Sequence, residues 1–125
     1  MLGIILVSHS RKITDGLKEM ITEMTGTEQM IFSAGGTGDG RIGTSAPLIM
    51  ESIETCKNCE RILLFCDMGS SILSAETAIE LLDDELKEKC HIIDGPLVEG
   101  AFVASVHSLL TEDLDSILHE VSQCK

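Results

Sequence analysis

Three apolar segments, each followed by a polar or glycine-rich loop and then by an amphipathic stretch, constrain the fold of this chain most strongly. They span Leu2 to Val7, Gln29 to Ala34 and Arg61 to Cys66. The first and third are near-continuous runs of Ile, Leu and other apolar residues, which is typical of strands buried on both faces. Strands that alternate with helices pair in parallel, because parallel neighbours need a crossover connection. The pattern therefore predicts a doubly wound α/β domain, with a mostly parallel sheet and helices on both faces.

The amphipathic stretches predict the helices. The first carries an apolar stripe at helical spacing, which we expect to face the core: Ile13, Leu17, Met20, Ile21 and Met24. Thr44 or Ser45 is expected to cap a second helix, which tolerates Pro47 in its first turn and ends near Lys57. The apolar face of a third helix consists of Ile72, Ala75, Ile79 and Leu82.

The last third of the chain predicts one more strand and two more helices. The strand runs from Cys90 to Ile93, and the helices cover Val98 to Leu110 and a segment from about Asp113. The acidic run Asp83 to Glu85 is interpreted as a solvated face near a helix end. At 125 residues, 43% of them hydrophobic, the chain is expected to form a single domain over residues 1–125.

Charge and composition exclude several classes of partner. The net charge is −12 at pH 7, and three Phe are the only aromatic residues. We therefore expect no nucleic-acid partner and no binding to anionic membranes, since both call for a cationic surface. No apolar stretch approaches the roughly 20 residues that a transmembrane helix needs. Five cysteines and the lack of a signal segment predict a reduced, cytoplasmic protein.

Two polar side chains directly follow the first and third apolar segments, where open α/β sheets bind their ligands. These are His9 and Asp67. If the two strands are neighbours, the carboxylate can accept the N–H of one ring nitrogen and leave the other as a nucleophile. Gly69, Ser70 and Ser71 open the following helix, whose N–H groups favour an anion. We predict a phosphohistidine site in which His9 and Asp67 are catalytic and the turn Gly69 to Ser71 binds phosphate.

Two other motifs are weaker signals. The loop Gly35 to Gly43 has five glycines in nine residues and contains a GxGxxG match, but it follows the second strand, where no dinucleotide fingerprint is expected. We interpret it mainly as a flexible rim of the site. Cys56 and Cys59 have CxxC spacing at the end of a helix, with no second pair to complete a metal set, so neither a metal site nor redox chemistry is predicted.

Five short runs, in order along nearly the whole chain, resemble a known family. They are residues 7–10 (VSHS), 42–44 (IGT), 67–70 (DMGS), 73–78 (LSAETA) and 96–100 (PLVEG). The chain is similar to the phosphotransfer subunit of phosphoenolpyruvate-dependent dihydroxyacetone kinase, itself similar to mannose-type enzyme IIA domains of sugar phosphotransferase systems (PTS). The DMGS, LSAETA and PLVEG runs favour the dihydroxyacetone branch over the mannose transporters.

The resemblance implies a function. His9 is expected to accept phosphate, on Nε2, from the phosphocarrier HPr, with Asp67 orienting the ring. The acceptor is then ADP, held on a separate nucleotide-binding kinase subunit, so this chain itself needs no cofactor. A homodimer is also implied. Some family members continue into fused HPr-like domains, whereas this sequence stops at Lys125, so we expect a separate HPr.

Two alternatives stay open at this point. A mannose-type enzyme IIA would share the chemistry of His9 but pass phosphate to a transporter protein. A receiver-like signalling module would instead be phosphorylated on Asp67, although such domains need acidic residues for Mg²⁺ where this sequence has Ser8 and His9. Arg11 and Lys12 lie beside His9, but solvated charge explains them equally well, and we leave them out of the site.

Overall fold

The computed structural model describes residues 1–26 and 30–124 of the chain. Strands and helices alternate over most of its length, as the apolar pattern predicts. In chain order they are β1 (Leu2–Val7), α1 (Arg11–Thr25), β2 (Met30–Ser33), α2 (Ala46–Thr55), β3 (Arg61–Cys66), α3 (Gly69–Glu80), α4 (Asp84–Lys89), β4 (Cys90–Ile92), α5 (Leu97–His107) and α6 (Leu114–Ser122). Gln29, the predicted start of the second strand, lies outside the described residues.

The four strands form one sheet in the order β2-β1-β3-β4, and every pairing is parallel. β1 and β3 are central neighbours, and their register aligns Val7 with Cys66. The residues that follow these two strands therefore emerge at the same height on the carboxyl edge of the sheet. This confirms the predicted α/β class and the neighbourhood of the first and third strands on which the site prediction depends.

Helices cover both faces of the sheet, because side chains on successive strand residues point to opposite sides. Ile4 and Leu6 of β1 pack with α1, α5 and α6, whereas Ile5 and Val7 pack with α2, α3 and α4. Buried helix residues on the first face are Leu17, Ile21, Leu97, Ala101, Ala104, Ile117 and Val121. On the second face they are Ile49, Ile53, Ala75, Ala78 and Leu86.

The expected core face of α1 is only partly correct. Leu17 and Ile21 are buried, but Ile13, Met20 and Met24 are 49%, 40% and 66% exposed. Thr14 is buried together with Leu17 and Ile21. Its hydroxyl bonds with the Ser33 hydroxyl and accepts the Gly35 N–H. The apolar stripe is wider than the strip of helix that the sheet covers, so one flank stays in solvent. In α3, Ile72 is likewise 40% exposed.

The acidic run after α3 is exposed, as expected of a solvated face, and it begins a further helix. Asp83 caps the short helix α4, and its side chain accepts the Leu86 N–H at 2.9 Å. Asp84 and Glu85 lie in the first turn, where acidic residues favour the helix dipole. Leu86 is buried. The sequence analysis missed this helix because its six residues contain one buried apolar side chain and no repeat of spacing.

Two predicted helix starts are confirmed. The Ser45 side chain accepts the Leu48 N–H at 3.2 Å, and a proline occupies the first turn of α2. Asp113 caps α6 by accepting the Ser116 N–H. Among the described helices, none is both long and apolar enough to cross a bilayer.

Candidate functional site

His9 and Asp67 meet at the carboxyl edge of the sheet. The Nδ1 atom of His9 lies 3.1 Å from Oδ1 of Asp67, and both side chains are largely shielded from solvent. Because an ionised carboxylate has no proton to give, the proton of this hydrogen bond belongs to Nδ1. Nε2 of the neutral ring then carries the lone pair. The structure thus brings together the two residues that the sequence analysis singled out.

The Asp67 carboxylate accepts hydrogen bonds from both chain segments at this edge. Oδ2 accepts the Ser8 hydroxyl at 2.8 Å and the backbone N–H of His9 at 3.1 Å, and Oδ1 accepts the N–H of Met68 at 2.7 Å. Burial alone would raise the pKa of Asp67. Donors from His9, Ser8, Ser71 and Met68 outweigh that effect and lower the pKa to about 2. The carboxylate is therefore ionised at neutral pH.

The other ring nitrogen faces the start of α3. Nε2 of His9 is hydrogen-bonded to the Ser70 hydroxyl. Gly69 and Ser70 are the first two residues of α3, and no hydrogen bond among the described residues uses their N–H groups. Such groups, together with the positive end of the helix dipole, suit an anion.

The sequence analysis placed Ser71 in the phosphate-binding turn, but its side chain does not lie open to a ligand. Its side chain is fully buried, and its N–H bonds to the carbonyl of Met68 at 2.9 Å. Its hydroxyl also bonds back to Met68, donating to the carbonyl and accepting the N–H. Ser71 therefore fixes the turn that presents Gly69 and Ser70. The positions of the serines in the sequence do not reveal which of their hydroxyls point inward at the start of the helix.

The glycine-rich loop is fastened to the backbone of the site. The N–H of Gly36 bonds to the Ser8 carbonyl at 3.0 Å, and the N–H of Gly43 bonds to the His9 carbonyl at 2.8 Å. Gly36 and Gly43 have φ values of 75° and 142°, which side chains rarely adopt. A Cβ on Gly35 would lie 2.6 Å from the Ser10 carbonyl oxygen. The glycines thus let the loop pack closely against the turn after β1, which the interpretation as a flexible rim did not foresee.

The charged side chains near the predicted site have other partners, and the two thiols of the CxxC motif lie beside Gly3, at the opposite end of β1. Arg11 pairs with Asp15 within α1, and Arg41 pairs with Asp39 within the glycine-rich loop. Cys56 and Cys59 are buried, and burial raises the pKa of the Cys56 thiol to about 12. A thiol with so high a pKa is a poor nucleophile and metal ligand. Within residues 1–26 and 30–124, no group of three or more His, Cys, Asp or Glu side chains could hold a metal ion.

Sequence reasoning missed Ser8 and the two loop N–H groups that hold the turn after β1. Ser8 is fully buried, although serine is usually exposed. Its place between a buried strand and the candidate histidine could have identified Ser8 as a site residue, because a buried hydroxyl at a strand end needs a hydrogen-bond partner. The backbone contacts of Gly36 and Gly43 have no counterpart in residue type or spacing.

Comparison with protein families matches residues 3–118 to a model described as EIIA-man, PTS system fructose IIA component. Among curated proteins, the phosphoryl donor subunit DhaM of PEP-dependent dihydroxyacetone kinase 2 from Listeria innocua is 61% identical over 98% of both chains. DhaM of Providencia stuartii is 41% identical over 98% of this chain. This chain spans only 26% of that longer relative.

Two solved structures share the fold. The crystal structure of the unknown-function protein EF1359 superposes with a TM-score of 0.90 at 40% identity, covering 99% of this chain and 95% of that one. The phosphotransferase system component EIIA of Streptococcus agalactiae has a TM-score of 0.71 at 17% identity, covering 98% and 91%. The second likeness concerns the fold alone.

The hydrogen bonds to Asp67 predict a pH dependence of stability. The ordinary pKa of an aspartate is 3.8, and in the folded protein it is lowered to about 2. Because the folded pKa is depressed, the stabilisation is complete above about pH 4 and is lost as the pH falls toward 2. We expect about 1–2 kcal/mol from this group. Urea unfolding between pH 2 and pH 6 measures it, by comparing the chain with Asp67→Asn.

The difference between the two proteins is expected to shrink as the pH falls. Asp115→Asn, which removes an exposed carboxylate on α6, controls for the change in net charge. A constant difference across this pH range contradicts the prediction.

Proposed function

The chain belongs to the family of PTS system fructose IIA components, and on that premise we propose that it is the phosphocarrier subunit of a PEP-dependent dihydroxyacetone kinase. In this proposal His9 accepts a phosphoryl group from phospho-HPr and passes it to ADP on the nucleotide-binding kinase subunit. The observation that carries it is the His9 ring held between the Asp67 carboxylate and the first turn of α3. The 61% identity with a DhaM subunit supports the choice of kinase.

The proposed transfer needs alignment more than covalent chemistry from the protein. The lone pair on Nε2 attacks phosphorus, an N–P bond forms, and the N–P bond of phospho-HPr breaks. Positive charge grows on the imidazole and is stabilised by Asp67 through Nδ1–H. In the second step an oxygen of the ADP β-phosphate attacks, and the lone pair returns to Nε2. The nucleotide stays on the partner, so this chain requires no cofactor of its own.

The start of α3 supplies donors for the phosphoryl oxygens in this scheme. The N–H groups of Gly69 and Ser70 belong to the same first turn of α3 as the hydroxyl that contacts Nε2, and the Ser70 hydroxyl turns from Nε2 to a phosphoryl oxygen once phosphate is bound. Ser71 supports the turn by capping it rather than by touching phosphate. Preorganised donors of this kind stabilise the charge on a transferring phosphoryl group.

Exposed apolar side chains around His9 favour docking of protein partners. Ile42 precedes Gly43, whose N–H bonds to the His9 carbonyl. Met68 follows Asp67, and Leu73 lies one turn after Ser70. All three are at least 60% exposed. HPr and the nucleotide-binding subunit must each bring a reacting atom to Nε2, so we propose that they use this surface in turn. Both are expected to meet the chain in the cytoplasm.

Asp67 is less suited to be the phosphoacceptor of a receiver-like module. Both carboxylate oxygens already accept hydrogen bonds, Oδ2 from Ser8 and His9 and Oδ1 from Met68. An attack on phosphorus through either oxygen would break these bonds. We therefore retain His9 as the proposed acceptor. A mannose-type role shares the first transfer step and differs in the acceptor alone.

We also propose a homodimer, formed through the exposed apolar flanks of α1 and α5. The polar flank of α1 lines a groove with Phe32 and Ser33 of β2, so Ile13, Met20 and Met24 lie on the flank toward α5. His107 of α5 bonds to Ser116 of α6. The opposite flank of α5 carries Val98, Phe102 and Val106, and we propose that it joins the apolar flank of α1, since the two helices contact each other. A standard interface buries ~800 Å² on each partner, so we expect the flanks of both helices to take part.

Removing the His9 side chain is predicted to abolish phosphate uptake. Incubation with phosphoenolpyruvate, enzyme I and HPr is expected to add one phosphate, measured as intact mass, that is acid-labile and alkali-stable. His9→Ala loses it, because among the described residues only His9 has a ring nitrogen bonded to the first turn of α3, whereas His119→Ala on α6 keeps it. Asp67→Asn retains slow labelling. Full labelling of His9→Ala, or loss of all label in Asp67→Asn, would move the acceptor elsewhere.

The phosphorylated chain is predicted to make ATP only with the kinase subunit. ADP and the nucleotide-binding subunit together are expected to remove the phosphate and yield an equal amount of ATP, measured by mass and luminescence. ADP alone is expected to do neither, because the proposal places the nucleotide site on the kinase subunit. Transfer to a mannose-type IIB protein, with no ATP formed, would favour the transporter role.

A charge placed in the apolar flank is predicted to break the dimer. By light scattering after gel filtration, the chain should have twice its 13.5 kDa mass, while Met20→Asp should run as the monomer. Leu81→Asp, at a more exposed apolar position at the end of α3, is the control and remains dimeric. A monomeric wild type, or a dimer disrupted only by Leu81→Asp, contradicts the proposed interface.

A further inference from the structure

Ser8 connects the two chain segments that form the candidate site. It follows β1 directly and is fully buried. Its hydroxyl donates to Oδ2 of Asp67 at 2.8 Å and accepts the N–H of Ser10 at 3.1 Å. Its carbonyl accepts the N–H of Gly36 from the glycine-rich loop. Ser8 therefore contacts the end of β3, the start of α1 and the loop after β2.

The hydroxyl proton of Ser8 has a defined direction. A serine hydroxyl has one proton and two lone pairs. The N–H of Ser10 approaches one lone pair, and the proton is donated to the anionic Asp67 carboxylate. The bond is charge-assisted and partly buried, which makes it stronger than a neutral one. Two donors on Oδ2, Ser8 and the His9 N–H, then fix the plane of the carboxylate and leave Oδ1 directed at the imidazole.

We propose that Ser8 is a positioning residue for phosphoryl transfer, whose hydroxyl orients the Asp67 carboxylate so that the His9 proton stays on Nδ1 and Nε2 stays nucleophilic. The inference rests on the proposed function of His9. Ser8 does not touch the reacting nitrogen and acts through Asp67. Without the hydroxyl, the carboxylate keeps the backbone N–H of His9 on Oδ2 and that of Met68 on Oδ1, but its plane is less tightly fixed. The ring then spends part of its time with the proton on Nε2, where it cannot attack phosphorus.

The test uses Ser8→Ala and two readouts. ¹⁵N NMR of the histidine rings reports which nitrogen of His9 carries the proton and needs no phosphoryl donor. We expect the wild type to hold the proton on Nδ1 and Ser8→Ala to show a substantial share of the Nε2–H form. With phospho-HPr, we expect Ser8→Ala to be labelled roughly tenfold to a hundredfold more slowly, as the loss of a hydrogen bond to a charged group implies.

Matched variants separate positioning from a structural role. Ser105→Ala removes another buried serine hydroxyl, one that donates to the Ala101 carbonyl within α5, and is expected to leave both readouts unchanged. Ser8→Thr keeps the hydroxyl and is expected to restore most of the rate. If Ser8→Ala fails to fold, Ser8→Cys replaces it, since a thiol fills the same space and is a weak donor.

A double-mutant cycle gives the decisive comparison. If Ser8 acts through Asp67, then Ser8→Ala slows labelling far less in the Asp67→Asn background than in the wild type. Equal slowing in both backgrounds, or a tautomer unchanged by Ser8→Ala, overturns the inference. A wild-type chain that takes no phosphate from phospho-HPr overturns the proposed function instead, while the tautomer measurement still decides whether Ser8 orients His9 through Asp67.

Discussion

The hydrogen bonds accepted by the Asp67 carboxylate hold the candidate site together. Their donors come from the turn after β1 and from the turn after β3, two segments that are more than 50 residues apart in sequence. The parallel register of β1 and β3 brings these turns level, and the carboxylate then joins them. A negative charge in this half-buried place costs free energy unless donors surround it. With the donors present, it becomes the fixed point against which the His9 ring is aligned.

Glycine makes the rest of the arrangement possible. The glycine-rich loop holds the turn after β1, because the Gly36 N–H bonds to the Ser8 carbonyl and the Gly43 N–H bonds to the His9 carbonyl. A side chain on Gly35 would collide with the Ser10 carbonyl, so the loop reaches the turn after β1 only where Cβ atoms are absent. The histidine is thus fixed at its ring by Asp67 and at its carbonyl by the loop. Little reorganisation is then required when a phosphoryl donor arrives.

Large parts of the fold and of the candidate site follow from residue order alone. The apolar runs predicted the parallel strands, and the strand ends predicted that His9 and Asp67 share an edge. The two failures have different physical causes. Ile13 and Met20 have the same hydrophobicity and spacing as buried residues of α1, but the sheet is too narrow to cover them. The six residues of α4 start at a single side-chain cap, Asp83, which local composition also allows in a turn.

The sequence by itself determined the fold class, the family and the residue types at the carboxyl edge, because hydrophobic periodicity and strand order depend on local chemistry. Only the tertiary structure decided which hydroxyl serves which partner. Ser8, Ser70 and Ser71 are chemically alike, but their hydroxyls have different partners. The Ser8 hydroxyl bonds to Asp67, that of Ser70 to the His9 imidazole, and that of Ser71 to the Met68 backbone. That division depends on the direction of each Cα–Cβ bond after the strands have paired. Direction is a property of the assembled backbone, and residue type does not encode it.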